Sequence, residues 1–99
     1  MKIDLISDNN ITKNFKVISE VGGEIDVFVT KAFDEDSSAH FIVLSIPFIP
    51  KLKVERLQMP PIMFEDEISR NNAFEKEVNK DWIASTIKNI ENHIVENNK

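Results

Sequence analysis

The feature that most constrains this chain is the strict alternation on either side of Gly22-Gly23. From Glu24 to Phe33, Ile25, Val27, Val29 and Phe33 fall on one face of an extended strand. Asp26, Phe28, Thr30 and Ala32 fall on the other. On the N-terminal side, within Phe15–Val21, Phe15, Val17 and Val21 share a face. Successive side chains of a strand point to opposite sides, so a period of two marks strands with one face on a core. Glycine tolerates the positive φ of tight hairpin turns, and the pair between the two runs predicts a hairpin.

Further strands extend this pattern. Lys2 to Ile6 alternates and is followed by the polar turn Ser7-Asp8-Asn9-Asn10. After the charged turn Asp34–Ser38, the run His40–Ile46 is nearly all apolar, which predicts a central strand covered on both faces. Pro47 and Pro50 are expected to end it, because proline cannot donate to a ladder. Leu52 to Met59 alternates again until Pro60-Pro61. Between Ile62 and Lys80 only the spacing of Phe74 and Val78 is informative, and it predicts a short helix near Asn72–Asn79. The end of the chain is clearer. Ile83, Ile87, Ile90 and Ile94 recur at helical spacing, widened by Trp82 and Val95, and Asp81 stands where an N-cap is expected. This predicts a helix over Asp81–Asn97, with Lys88, Asn89, Glu91, Asn92 and Glu96 on its remaining faces. Strands first and helix last, with hairpin-length connections, give a single α+β domain over residues 1–99. Its expected form is an antiparallel β-sheet of four to five strands with a C-terminal amphipathic helix packed on one face.

The order of elements from Glu24 to Pro50, followed by the late helix, resembles small antitoxin domains of the HicB type, which also pair strands carrying a Pro-containing turn with a following helix. The stretch Lys51–Lys80 departs from that pattern, and no residue's role is carried over.

Composition narrows the function classes. Among 99 residues, 12 Lys and Arg face 17 Asp and Glu, a net charge of −5. Such a surface repels nucleic-acid phosphates and attracts a basic partner, so no nucleic-acid binding is expected. No apolar run approaches the roughly 18 residues of a membrane helix, and the N-terminus has no signal-peptide character, so no membrane association is expected. The chain has no cysteine, hence no disulfide, thiol nucleophile or Cys-based metal site, and this favours the cytoplasm. Abundant Ile, Asn and Lys, with Lys far above Arg and no Tyr, point to a low-GC bacterium or one of its phages.

Chemistry-bearing patterns are sparse. His40 and His93 have no metal-ligand spacing between them. Asp34, Asp36 and Ser38 imitate the start of an EF-hand loop, but Ala39 and Ser45 stand where its glycine and closing glutamate belong. Two adjacent glycines cannot build a phosphate loop. The acids Glu65, Asp66 and Glu67 read as a solvated face or a helix-dipole partner. The expectation is a non-enzymatic chain with no cofactor and no bound metal. A small enzyme or metal binder using His40, His93 or the acidic turns is the least favoured alternative.

The best candidate surface is apolar. The prolines around Ile46–Pro50 and Met59–Phe64 should carry parts of these segments off the sheet, leaving Phe48, Ile49, Ile62, Met63 and Phe64 to be covered by the domain itself or by a partner. Met63 suits an adaptable surface, and Lys51, Lys53 and Arg56 would form its polar rim. Two functions follow as expectations. The first is a protein-binding module of the inhibitor, immunity or antitoxin type. The second is a self-associating assembly protein whose apolar patch is its own dimer interface.

Overall fold

The computed structural model describes residues 1–97. Six strands come first: β1 (Lys2–Asp8), β2 (Thr12–Ser19), β3 (Gly23–Asp34), β4 (Ala39–Ile49), β5 (Val54–Gln58) and β6 (Ile62–Phe64). Two helices follow, α1 (Glu67–Lys76) and α2 (Lys80–Asn97). All strand pairs are antiparallel, in the order β1-β2-β3-β4-β5, with β6 also on β4. The α+β class is as expected. The sheet gains a strand, and a helix over Glu67–Lys76 replaces the short one expected near Asn72–Asn79.

Alternation sorts the side chains as the sequence implies. Phe15 and Val17 of β2 sit opposite Val27 and Ile25 of β3, and Val29 sits opposite Leu44 of β4. These residues, with Ile42 and Ile46, form the sheet's half of the core. Phe74, Val78, Ile83, Ile87 and Ile90 supply the helical half. Both helices therefore cover one face of the sheet, and no element among the described residues covers the other. Burying an aliphatic side chain of this size stabilises by about 1.5–3 kcal/mol, so this two-layer core dominates the stability.

β4 does not stop at Pro47. It continues to Ile49, with Ile46↔Leu57 and Phe48↔Glu55 as partners on β5. Between them Pro47 has no N–H to give, and Arg56 adopts φ 54. The alternation slips there: Ile46 is buried, Phe48 is exposed, and Ile49 turns back into the core. The strand expected to begin at Leu52 starts at Val54, because Pro50–Leu52 form a short 3-10 turn. β2 begins earlier than expected, at Thr12, and ends at Ser19. Val21 lies in the hairpin turn and is exposed.

The helices are fixed at their ends by side chains. The Asp66 carboxylate accepts the Ser69 N–H at 2.7 Å and caps α1. That backbone hydrogen bond, assisted by the Ser69 side chain, holds the Asp66 carboxyl below its ordinary 3.8. A carboxyl depressed in this way stabilises the fold above its unfolded pKa, and the contribution is lost as pH falls through its folded value. A ¹³C titration should therefore give Asp66 a midpoint below 3.8, with fraying of the first turn of α1 over the same range. A midpoint at or above the ordinary value removes the cap.

α2 is not capped by Asp81. Asn79 Oδ1 accepts the Trp82 N–H at 3.0 Å, and Asn79 Nδ2 donates to Lys76 O at 3.2 Å. One side chain thus closes both the end of α1 and the start of α2, which explains how a short connection turns the chain between them. Arg70, 8% exposed, ties α1 to the sheet by donating from Nη1 to Ala32 O at 2.8 Å.

Candidate functional site: an apolar groove beside the terminal helix

β5 and β6 share one edge of β4: β5 takes Ser45–Ile49 and β6 takes His40–Ile42. The link between them, Met59-Pro60-Pro61, closes on β4 through a Met59 N–H to Leu44 O hydrogen bond of 3.0 Å. Proline cannot continue a ladder, so the sheet thins here. α2 runs past the thinned edge and leaves a groove. Its first part, about 220 Å³, has Ile42 and Leu44 as floor, Met59, Pro60 and Ile62 as one wall, and Trp82, Thr86 and Asn89 as the other. Its second part, about 170 Å³, continues through Met59 and Asn89 to Leu57, Ile90, His93 and Ile94. The walls are apolar, and Thr86, Asn89 and His93 are the polar groups within reach of an occupant. Concave, mostly apolar surfaces with a few placed polar groups are the usual form of a binding site.

The five residues expected to form one patch are divided by the fold. Ile49 is 1% exposed and belongs to the core. Phe64 is half-buried against that core. Ile62 and Met63 remain 43% and 58% exposed but point to opposite faces, since Ile62 pairs with Ile42 and Met63 with Phe41. Ile62 enters the groove, whereas Met63 lies on the uncovered sheet face. Phe48 is exposed six residues along β4 from Ile42, roughly 20 Å away at the rise of a strand. Thr86 and Asn89 are the groove residues that periodicity alone did not single out as a site. The Pro60-Pro61 pair and the apolar stripe of α2 were the signals available.

Polar groups elsewhere serve the fold. Asp34 accepts the Asp36 N–H at 3.2 Å and the Ser37 hydroxyl at 2.9 Å, so the acidic turn uses its carboxylate on itself. His40 stacks 4.7 Å from Phe33, and its Nδ1 is buried without a hydrogen-bond partner. Within the groove, at its far end, His93 Nε2 lies 3.0 Å from Asn97 Nδ2. Among the described residues no three His, Cys, Asp or Glu side chains converge as metal ligands, and no helix is long and apolar enough to cross a membrane. Comparison with protein-family models, curated proteins and solved structures finds no match to this chain.

Proposed function

We propose that this chain is a non-enzymatic protein-binding module of the inhibitor, immunity or antitoxin type, acting in the cytoplasm of a low-GC bacterium or an infected host. The observation that supports this reading is the groove between α2 and the Met59–Ile62 edge. From Trp82 to Ile94 it follows about 18 Å of helix, the length of roughly five residues of an extended peptide. The occupant it fits is an apolar segment of another protein, with Asn89 and Thr86 placed for its backbone groups. The net charge of −5 favours basic residues on either side of that segment.

Asn89 is exposed and lines both parts of the groove, so Asn89→Arg fills the site without touching the core. A protein that binds the wild-type chain directly, as two purified components, should bind Asn89→Arg at least tenfold more weakly. It should bind Ile18→Arg, altered on the uncovered face, as well as the wild type. Equal binding by Asn89→Arg overturns the groove as the site.

A further inference from the structure

The uncovered face of the sheet has a composition that an exposed face does not need. Its centre carries Phe28, Thr30 and Ala32 from β3, Phe41, Val43 and Ser45 from β4, and Met63 from β6. Apart from Asp34 at the β3–β4 turn, the charged residues of this face on β1 to β3, Lys2, Asp4, Lys16, Glu24 and Asp26, lie before Phe28, at the other end. They satisfy one another there, with Lys16 Nζ 3.1 Å from Glu24.

The central rows follow a rule. Across the β3–β4 ladder the partners are Phe28↔Ser45, Thr30↔Val43 and Ala32↔Phe41. The two outer rows each set a large side chain beside a small one, and the large one is on β3 in the first and on β4 in the other. A second copy laid on this face, with the two-fold axis parallel to the strands between β3 and β4, places every residue over its own cross-strand partner. Phe41 then lies over Ala32 of the other copy, Phe28 over Ser45, and Val43 over Thr30. Large meets small in the two outer rows, with the nearly equal Val43 and Thr30 between them, which is how facing sheets interdigitate at about 10 Å separation. One two-fold operation brings all three rows of the β3–β4 ladder together, as an isologous interface requires.

The area is adequate. With the axis between β3 and β4, each of these strands lies over the other along about eleven residues and β2 lies over β5 along about five, while β1 lies over nothing, which gives a footprint of roughly 500 Å² before side-chain relief is added. Stable pairs bury about 600–1,000 Å² per partner, so the face supports a dimer near the lower end of that range. Each chain is 18 Å through its thinnest dimension, the two layers of one domain. The second copy supplies the missing third and fourth layers.

We infer that the open face of the sheet is a homodimer interface, formed by a second copy stacked face to face through Phe28, Ala32, Phe41 and Val43. The groove beside α2 lies on the opposite side, so the dimer would display two grooves pointing outwards. The inference does not depend on what fills them.

The test is sedimentation velocity on the full chain from about 1 μM to 1 mM, with far-UV CD on the same samples. The expected mass rises with concentration from 11.4 kDa towards twice that value. Ala32→Arg fills the hollow under Phe41 without removing a core side chain, and it should hold the chain at the monomer mass throughout. Ile62→Lys, on the groove side, should leave dimerisation unchanged. A folded wild-type monomer at every concentration overturns the inference, as does a dimer that survives Ala32→Arg. The chain has no native cysteine, so a single Val43→Cys gives an independent readout should Ala32→Arg unfold. A short bismaleimide should join Val43→Cys into a covalent dimer and leave Glu35→Cys, in the exposed turn, monomeric. Failure of the Val43→Cys link at concentrations where the mass is dimeric places the interface elsewhere and overturns the inference.

Discussion

Replacing Lys13 with methionine is expected to lower the stability of the fold by about 3 kcal/mol, although methionine keeps most of the apolar stem. Lys13 lies on the core face of β2 and is only 6% exposed. Its Nζ donates to Phe74 O and Val78 O, the latter at 2.9 Å. The reason is the way α1 ends. The N–H groups of both Glu77 and Val78 converge on Ala73 O, at 2.8 and 3.1 Å. Phe74 O is thereby deprived of the Val78 N–H that a regular helix would give it. The Trp82 N–H, which could have reached Val78 O, goes to the Asn79 side chain. Two buried carbonyls are left to one ammonium group. The cation also sits 4.8 Å from the centre of the Phe74 ring and at the negative end of the α1 dipole. Methionine removes the donor and leaves both carbonyls buried without one. Chemical denaturation should show the loss as a lower midpoint at unchanged slope. In a thermal scan it should appear as a drop of roughly 15 °C for a domain of this size. A change below about 0.5 kcal/mol would mean that water or a shifted backbone replaces the ammonium.

The second large effect is expected where the β2–β3 turn meets α2. Glu91, only 3% exposed, accepts the Ser19 hydroxyl at 2.6 Å, and the same Ser19 oxygen accepts the Gly22 N–H at 3.3 Å. A methyl group on Gly22 would stand 2.8 Å from Ile25 Cδ1, 2.9 Å from Glu91 Oε2 and 3.0 Å from Ile49 Cγ2. Gly22 is there because nothing larger fits between the turn and the helix. Gly22→Ala should cost about 2 kcal/mol, in the range of an overpacked core. Glu91→Ala should cost a similar amount, about 2 kcal/mol, by leaving the buried hydroxyl without its acceptor. The double variant is the sharper measurement. Removing the Glu91 side chain makes room for the new methyl, so the two losses should fall short of additive by about 0.5–1 kcal/mol. Strict additivity would show that the Gly22 contact with Glu91 contributes nothing.

These two sites also show where reading the sequence fell short. Lys13, Ser19 and Glu91 are polar residues at buried positions. A polar residue at a core position breaks the period that identifies a strand. β2 therefore reads from Phe15 when it begins at Thr12. Glu91 reads as part of the solvated face of α2, yet it is four residues after Ile87 and beside the apolar stripe. Only the arrival of the Ser19 turn decides that it is buried. The cap of α2 was misplaced by two residues for a similar reason. Asp81 and Asn79 are both good caps, and the choice depends on where the chain leaves α1.

By itself the sequence determined the antiparallel sheet, the hairpin at Gly22-Gly23, the core face of β3 and the buried stripe of α2. These follow from local periodicity, and periodicity needs no knowledge of distant neighbours. The tertiary structure alone decided which apolar side chains form a surface. Pro47 and the left-handed Arg56 beside it shift the alternation of β4, which sends Ile49 inward and Phe48 outward. The pairing of β6 with β4 then separates Ile62 from Met63, giving one to the groove and one to the open sheet face. A slip of one residue exchanges the faces of a strand. Register is set by pairing between segments far apart in the chain, so the division of these residues between core, groove and open face could not be read from their order alone.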